Sequence, residues 1–149
     1  MRRVGLVLAA CFLSPSALAQ GEEGKDFIVT PAAALEWQDA AQFPGLAFAR
    51  LEGDPAKPGP YILLARFPPG VMTPPHSHDQ DRFVTVIQGT WHVGVGPVLD
   101  RAAMTPLPPG SFMKHPKGAV HYDGSKEGEV IVQITGMGPV ATAFANQRP

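Results

Sequence analysis

The chain has 149 residues and a formal net charge of −1; 44% of the residues are hydrophobic, and 16 are Gly and 17 are Pro. This length suits one domain with its own core, and the hydrophobic share excludes a disordered chain. So much Gly and Pro excludes long helices and favours short strands joined by turns. The balanced charge, without a basic stripe, argues against a nucleic-acid-binding protein.

Residues 1–19 have the pattern of a secretory signal peptide. The sequence opens on MRR, continues with an apolar run from Val4 to Leu13, and reaches a small-x-small cleavage pattern that ends at Ala19. The apolar run is too short for a membrane span, which needs about 20 residues. We therefore predict one mature domain over 20–149 that is periplasmic or secreted.

The only cysteine offers an alternative at the same end of the chain. The letters LAAC at positions 8–11 resemble a lipobox, in which Cys11 would become the lipidated first residue of an anchored lipoprotein. A single cysteine also excludes a disulfide framework and a cysteine-rich zinc site.

Seven short apolar or alternating runs between turn-forming residues predict β-strands. They are Phe27–Thr30, Leu46–Leu51, Tyr61–Phe67, Arg82–Gln88, Trp91–Val95, Ser111–Lys114 and Glu129–Thr135. Strands at this spacing predict an antiparallel sandwich or barrel. The stretch Ala32–Ala41 is the one place whose composition allows a short helix, and it lies before the main strands.

Alternation along two of these strands indicates which side chains face inward. Both faces of Arg82–Gln88 are largely apolar, so we expect this strand to be covered on both sides. In Glu129–Thr135, Gln133 shares a face with Ile131 and Thr135, and we expect that face to be buried. Gln133 is therefore a candidate to bond a histidine ring or to bind substrate; the alternative is that it only satisfies its own hydrogen bonds in the barrel.

Three of the five histidines form a pattern that suits a metal. His76 and His78 are two residues apart, so their rings point to the same side of an extended segment. His121 comes from a second segment. Three imidazoles from two segments can hold a divalent metal and leave a position open for water or substrate.

The surrounding residues carry a resemblance to the cupin superfamily. From position 70 the chain reads GVMTPPHSHDQDRFVTVIQG and from position 110 GSFMKHPKGAVHYDGS. The two stretches resemble the cupin motifs G-x5-H-x-H-x3-E-x6-G, over 70–89, and G-x5-P-x-G-x2-H-x3-N, over 110–125. The positions in register are Gly70, His76, His78 and Gly89 in the first motif and Gly110, Pro116, Gly118 and His121 in the second.

This resemblance implies a fold and a cofactor. The fold is all-β: an antiparallel double-stranded β-helix, the jelly-roll barrel of RmlC-like cupins, and more loosely the chain is similar to small exported bacterial cupins. The implied cofactor is one divalent transition metal (Fe, Mn, Ni, Cu or Zn) held by His76, His78 and His121. The resemblance also admits a homodimer.

The chain departs from the motifs at two positions, Arg82 in place of the glutamate and Ser125 in place of the asparagine. The implied site therefore has three histidines and no carboxylate. Arg82 adds a fixed positive charge, which favours an anion that bridges metal and guanidinium, as an arginine anchors substrate in the three-histidine thiol dioxygenases of this superfamily. Alternatively, Arg82 turns away or pairs with Asp79 or Asp81, and metal binding is weak.

Two functions follow from these residues. The first is an enzyme acting on a small anionic molecule, such as an Fe-dependent oxygenase, with Arg82 and Gln133 as substrate-binding candidates. The alternative is a noncatalytic periplasmic protein that binds a metal or a small ligand. We expect the two other histidines, His92 and His115, to be structural. No membrane span and no nucleic-acid partner are predicted.

Overall fold

A computed structural model describes residues 27–145; the predicted signal peptide, its cleavage site and Cys11 lie outside the described residues. The described part contains one 3-10 turn, Ala32–Ala34, and the following strands in chain order. They are β1 Trp37–Asp39, β2 Ala47–Glu52, β3 Gly59–Phe67, β4 His76–His78, β5 Arg82–Gln88, β6 Trp91–Val95, β7 Thr105–Leu107, β8 Phe112–His115, β9 His121–Gly124, β10 Val130–Gly138 and β11 Thr142–Phe144.

The strands form two antiparallel sheets that enclose the core. One sheet has the order β1-β2-β3-β10-β5-β8 and the other β11-β4-β9-β6-β7. The long strands β3 and β10 alternate between buried and partly exposed residues, as expected for strands with one face on a core. The buried apolar side chains of both sheets form one cluster that includes Tyr61, Phe67, Val84, Trp91 and Val132. The predicted jelly-roll barrel is confirmed.

Gly89 shows why the first motif ends on glycine. It joins β5 to β6 with a φ of +74°, a conformation that only glycine adopts without strain. A Cβ built there would lie 2.3 Å from the backbone oxygen of Glu129. Both the positive φ and the contact with Glu129 therefore disfavour any larger residue at this turn.

The expectation that β5 is covered on both sides is wrong. Its inward residues Val84 and Val86 are each 1% exposed, whereas Phe83 and Ile87 on the other face are 42% and 50% exposed. The six-stranded sheet packs against its partner sheet through one face only. Phe83 stacks instead on Phe112 of the edge strand β8, with ring centroids 6.4 Å apart, at the surface.

Two further expectations at the start of the chain are corrected. Phe27–Thr30 is not a strand, and its side chains are exposed because it has no partner strand. The Ala32–Ala41 stretch is not a helix. It forms the 3-10 turn and then β1, whose pairing with β2 supplies the backbone hydrogen bonds that a helix would have made.

Three short strands that the sequence did not mark as strands carry or support the histidines: β4, β9 and β11. β4 pairs with β11 on one side and meets β9 on the other, where His76 faces His121. No helix among residues 27–145 is long and apolar enough to cross a membrane.

Candidate metal centre

The structure brings the three predicted ligands together. His76 and His78 on β4 and His121 on β9 are each 3% exposed and project from the five-stranded sheet into the space between the sheets. One ring nitrogen of each lies within 4.8 Å of one ring nitrogen of the others.

Hydrogen bonds to Nδ1 orient all three rings. Nδ1 of His76 lies 2.8 Å from the carbonyl oxygen of Pro74, and Nδ1 of His121 lies 3.0 Å from that of Ala119. Nδ1 of His78 lies 3.1 Å from Oγ1 of Thr142. A carbonyl only accepts, so Nδ1 of His76 and of His121 carries the proton and the lone pair is on Nε2. Such outer hydrogen bonds are the usual way to hold a metal-binding imidazole in place.

The ring spacing fits a common metal ion. An imidazole nitrogen lies about 2.0–2.1 Å from a metal such as zinc, which places the ring centroid about 3.2 Å from it. Rings that meet at an ion at angles of about 90–110° are then about 4.5–5.3 Å apart. The three observed centroid separations are 4.4, 5.0 and 5.4 Å. In addition, Nε2 of His121 is buried without a hydrogen-bond partner among the described residues, so the donor set fits a divalent metal.

Burial keeps these imidazoles neutral, as ligation requires. Burial, reinforced by the neighbouring His121, lowers the pKa of His76 to about 3. Burial and the Arg82 guanidinium lower the pKa of His78 strongly, and burial also lowers the pKa of His121. All three rings are therefore neutral at neutral pH.

Arg82 points toward the histidines. Its Nη1 donates to Nε2 of His78 over 2.7 Å, which assigns the proton of this ring to Nδ1 as well. Arg82 therefore neither turns away nor pairs with Asp79 or Asp81, contrary to the alternative orientation. Asp79 accepts instead from the backbone N–H of Ala141, and Asp81 accepts from Lys114 and from the backbone N–H of Lys117.

Arg82 also lines an outer cavity that opens beside the histidines. This cavity has a volume of about 530 Å³. Phe43, Phe48 and Arg82 line both it and a small inner space of about 30 Å³ next to the three rings. Tyr61 lies on the wall of the outer cavity, with its buried hydroxyl close to the Arg82 guanidinium. Burial raises the pKa of this hydroxyl, although the Arg82 guanidinium opposes the shift.

The structure does not bring Gln133 to this centre. Val132 and Ile134 face the core and line the inner space, so Gln133 lies on the opposite, outer face of β10 with Ile131 and Thr135. The prediction that this face of β10 is buried is therefore wrong. As at β5, no other layer among the described residues covers the outer face of the six-stranded sheet.

Two polar residues at the centre were missed by the sequence reasoning, His115 and Asp123. Both are 5% exposed and line the inner space. That His115 is structural stays a prediction. The alternation rule that paired His76 with His78 could have found Asp123, two residues after His121 on an extended strand. His115 comes at the inward end of β8, directly opposite Arg82 in the strand pairing.

Solved structures with a similar fold include enzymes. The polyketide cyclase RemF from Streptomyces resistomycificus superposes with a TM-score of 0.65 at 16% identity, covering 80% of this chain and 87% of that one. The DMSP lyase DddQ from Ruegeria pomeroyi gives 0.62 at 17% identity, covering 78% and 64%. A cupin-like protein from Thermotoga maritima gives 0.60 at 18% identity, covering 80% and 90%. At such identities the likeness shows the fold alone.

The family is shown by the sequence as a whole. No curated protein matches the chain, but residues 25–141 match the family described as the ChrR Cupin-like domain. This match spans both motifs and all but the last of the described strands. With the two-sheet fold and the three converging histidines, it establishes that the chain belongs to the ChrR cupin-like family of the cupin superfamily.

Proposed function

We propose that this chain binds one divalent transition metal through His76, His78 and His121 and acts on a small anionic molecule. The observation that carries the proposal is the position of Arg82, whose guanidinium lies between the three imidazoles and the outer cavity. A ligand entering from that cavity meets a fixed positive charge before it reaches the histidines.

Arg82 has a clear chemical role in this proposal. In the structure its Nη1 donates to Nε2 of His78, the same atom that would hold a metal. When a metal takes that lone pair, the guanidinium has to find another acceptor. A carboxylate or a similar anion accepts from a guanidinium through two parallel hydrogen bonds. Arg82 would thus hold the anionic end of the ligand at the edge of the metal centre.

The rest of the outer cavity suits the uncharged part of such a ligand. Phe43, Phe48 and Leu63 provide an apolar wall, and the Tyr61 hydroxyl provides a polar group close to the Arg82 guanidinium. A bound metal would supply Lewis acidity or oxygen activation, and an Fe-dependent oxygenase is the enzyme that we propose. The similar folds of a polyketide cyclase and a DMSP lyase support the view that this architecture hosts enzymes for small molecules.

The test is the binding of small carboxylates to metal-loaded protein, measured by calorimetry, for the wild type and for Arg82→Leu. We expect the variant to bind carboxylates at least about tenfold more weakly, because a charge-assisted hydrogen bond contributes about 1.5–3 kcal/mol. The matched control is Arg50→Leu, since Arg50 lines the same cavity but is exposed and pairs with Asp54. Equal carboxylate affinity in wild type and Arg82→Leu would refute the anchoring role.

A noncatalytic metal- or ligand-binding role is the second candidate, and one contact favours it. The 2.7 Å hydrogen bond from Arg82 occupies Nε2 of His78, which favours a protein that binds a small ligand without catalysis at a metal. Oxygen consumption by Fe-loaded protein with candidate acids separates the two functions. Uptake of oxygen that depends on an acid supports the enzyme, and binding of the acid without oxygen uptake supports the noncatalytic protein.

We further propose that the chain is exported and that residues 1–19 are removed. The support is the pattern of the first 19 residues alone. Intact-mass measurement of the exported protein tests this: a start at Gln20 agrees with cleavage after Ala19, whereas a lipidated Cys11 at the amino terminus contradicts it.

A further inference from the structure

A second group of possible metal ligands lies beside the first and shares one residue with it. His115, His121 and Asp123 are each buried, and one ligand atom of each lies within 4.8 Å of those of the others. His121 and Asp123 come from β9 of one sheet and His115 from β8 of the other, so the group spans the interior of the barrel.

His115 is the member whose surroundings are hardest to explain without a ligand. Both of its ring nitrogens are buried and have no hydrogen-bond partner among the described residues. A buried polar atom left without a partner costs about 1–3 kcal/mol. The ring packs 3.8 Å from that of His121 and 5.8 Å from that of Trp91, measured between centroids. In His76, His78 and His121 the ring nitrogen Nδ1 has a hydrogen-bond partner, whereas only packing holds the ring of His115.

Asp123 places a carboxylate beside the rings of His115 and His121. Its Oδ2 lies 3.9 Å from Nε2 of His121, too far for a hydrogen bond. Thr73 fixes the strand here, because its hydroxyl accepts from the backbone N–H of Asp123 and donates to the carbonyl oxygen of the same residue. A buried carboxylate requires a cation or several donors near it, and the positive charge of Arg82 already acts on this one. The second motif thus supplies a buried carboxylate next to His121, whereas the first motif has Arg82 at its glutamate position.

His115 lies on the far side of the three-histidine group. Its ring centroid is 3.8 Å from that of His121 but 6.5 Å from that of His78. His115 is not part of the group in which ring nitrogens of His76, His78 and His121 lie within 4.8 Å of one another. An ion held by His115 and Asp123 is thus a different ion position from the one that His76 and His78 surround.

We infer that His115, His121 and Asp123 form a second divalent-metal site, an alternative to the site of the three histidines. Two imidazoles and one carboxylate form a donor set that suits divalent iron, manganese, cobalt or zinc. Only His121 belongs to both sites, and its Nδ1 donates to Ala119, so its single free lone pair serves one ion at a time.

The conformation of Arg82 gives the second site an advantage. The guanidinium blocks Nε2 of His78, so the three-histidine site needs a rearrangement before it can close around an ion. The ring nitrogens of His115 and Nε2 of His121 are unblocked by the described residues. The metal would therefore have two alternative positions in one barrel, and the hydrogen bond from Arg82 to His78 disfavours the three-histidine position. This inference shares with the proposed function the assumption that His121 is a metal ligand.

The experiment is a titration of the metal-free full chain with Co²⁺, read by the visible absorption of the bound ion and by elemental analysis after dialysis. We expect one ion per chain in the wild type and in His78→Ala, and at least about tenfold weaker binding in the double variant His78→Ala with His115→Ala. Asp123→Asn in the His78→Ala background keeps the size of the side chain and should weaken binding similarly, with a changed spectrum. His92→Ala is the matched control, since His92 lies on the strand face opposite Trp91 and Val93.

The outcomes separate this inference from the proposed function. If His78→Ala abolishes binding and His115→Ala leaves the affinity and spectrum unchanged, the second site is wrong and the three-histidine site stands. If His115→Ala abolishes binding and His78→Ala has no effect, the second site stands and the proposed ligand set fails. Two ions bound per chain would contradict the sharing of His121, and no bound ion in any folded variant or the wild type would overturn both sites. Thermal unfolding of each variant verifies that it is folded.

Discussion

Removing the guanidinium at position 82 should make the protein bind metal more tightly. In the wild type, a metal that takes Nε2 of His78 must first break the 2.7 Å hydrogen bond from Arg82. A hydrogen bond from a charged donor contributes about 1.5–3 kcal/mol, which corresponds to a factor of about 10–150 in the dissociation constant. Repulsion between the guanidinium and a divalent ion acts in the same direction. Arg82→Leu should therefore bind metal at least about tenfold more tightly.

The assay is a competition titration with a chelator of known affinity, using Zn²⁺ or Co²⁺ and the metal-free full chain. Arg50→Leu removes the same charge from an exposed position, where the side chain is 57% exposed, and should change the affinity by no more than about fivefold. Circular dichroism verifies that both variants fold. An Arg82→Leu protein that is folded but binds metal no more tightly than the wild type would refute the idea that Arg82 competes with the metal.

The remaining predictions concern a turn and a ring orientation. Gly89→Ala should lower the free energy of unfolding more than Gly118→Ala in a denaturant titration. Both glycines have a φ near +75°, but only at Gly89 would the new Cβ lie 2.3 Å from a backbone oxygen, while at Gly118 it meets nothing within 4 Å; equal losses would contradict this reason. In an Arg82→Leu background, where Nε2 of His78 is no longer blocked, Thr142→Val should weaken metal binding by about tenfold, because it removes the side-chain oxygen beside Nδ1 of His78. Thr135→Val, on the outer face of the sheet, is its control, and equal affinities in the two variants would count against a role in ring orientation.

The motif spacing was enough to identify the three converging histidines. Residues two apart on an extended segment share a face, and the fixed spacings of the second motif added His121. The sequence did not show that His76 and His121 would be directly opposite each other. That pairing joins residues 45 positions apart in the sequence and depends on how the two sheets close.

The prediction that the outer face of the six-stranded sheet is buried was wrong for a physical reason. Apolar residues at Phe83 and Ile87 looked like a second buried face, and Gln133 was placed on a buried face by the same argument. Alternation tells which residues share a face, but it does not tell whether another layer covers that face. Within residues 27–145, one face of the six-stranded sheet is covered and the other is partly exposed.

The amino-acid composition by itself determined that the protein has many turns and short strands. Gly and Pro at the turns exclude long helices whatever the tertiary structure, and the histidine spacing determines which rings can share a face. The direction of the Arg82 guanidinium and the position of His115 beside His121 were decided only by the tertiary structure. Both contacts join strands of the two different sheets, β5 with β4 and β8 with β9, which face each other across the interior. There the packing of the sheets decides which partner a polar group meets.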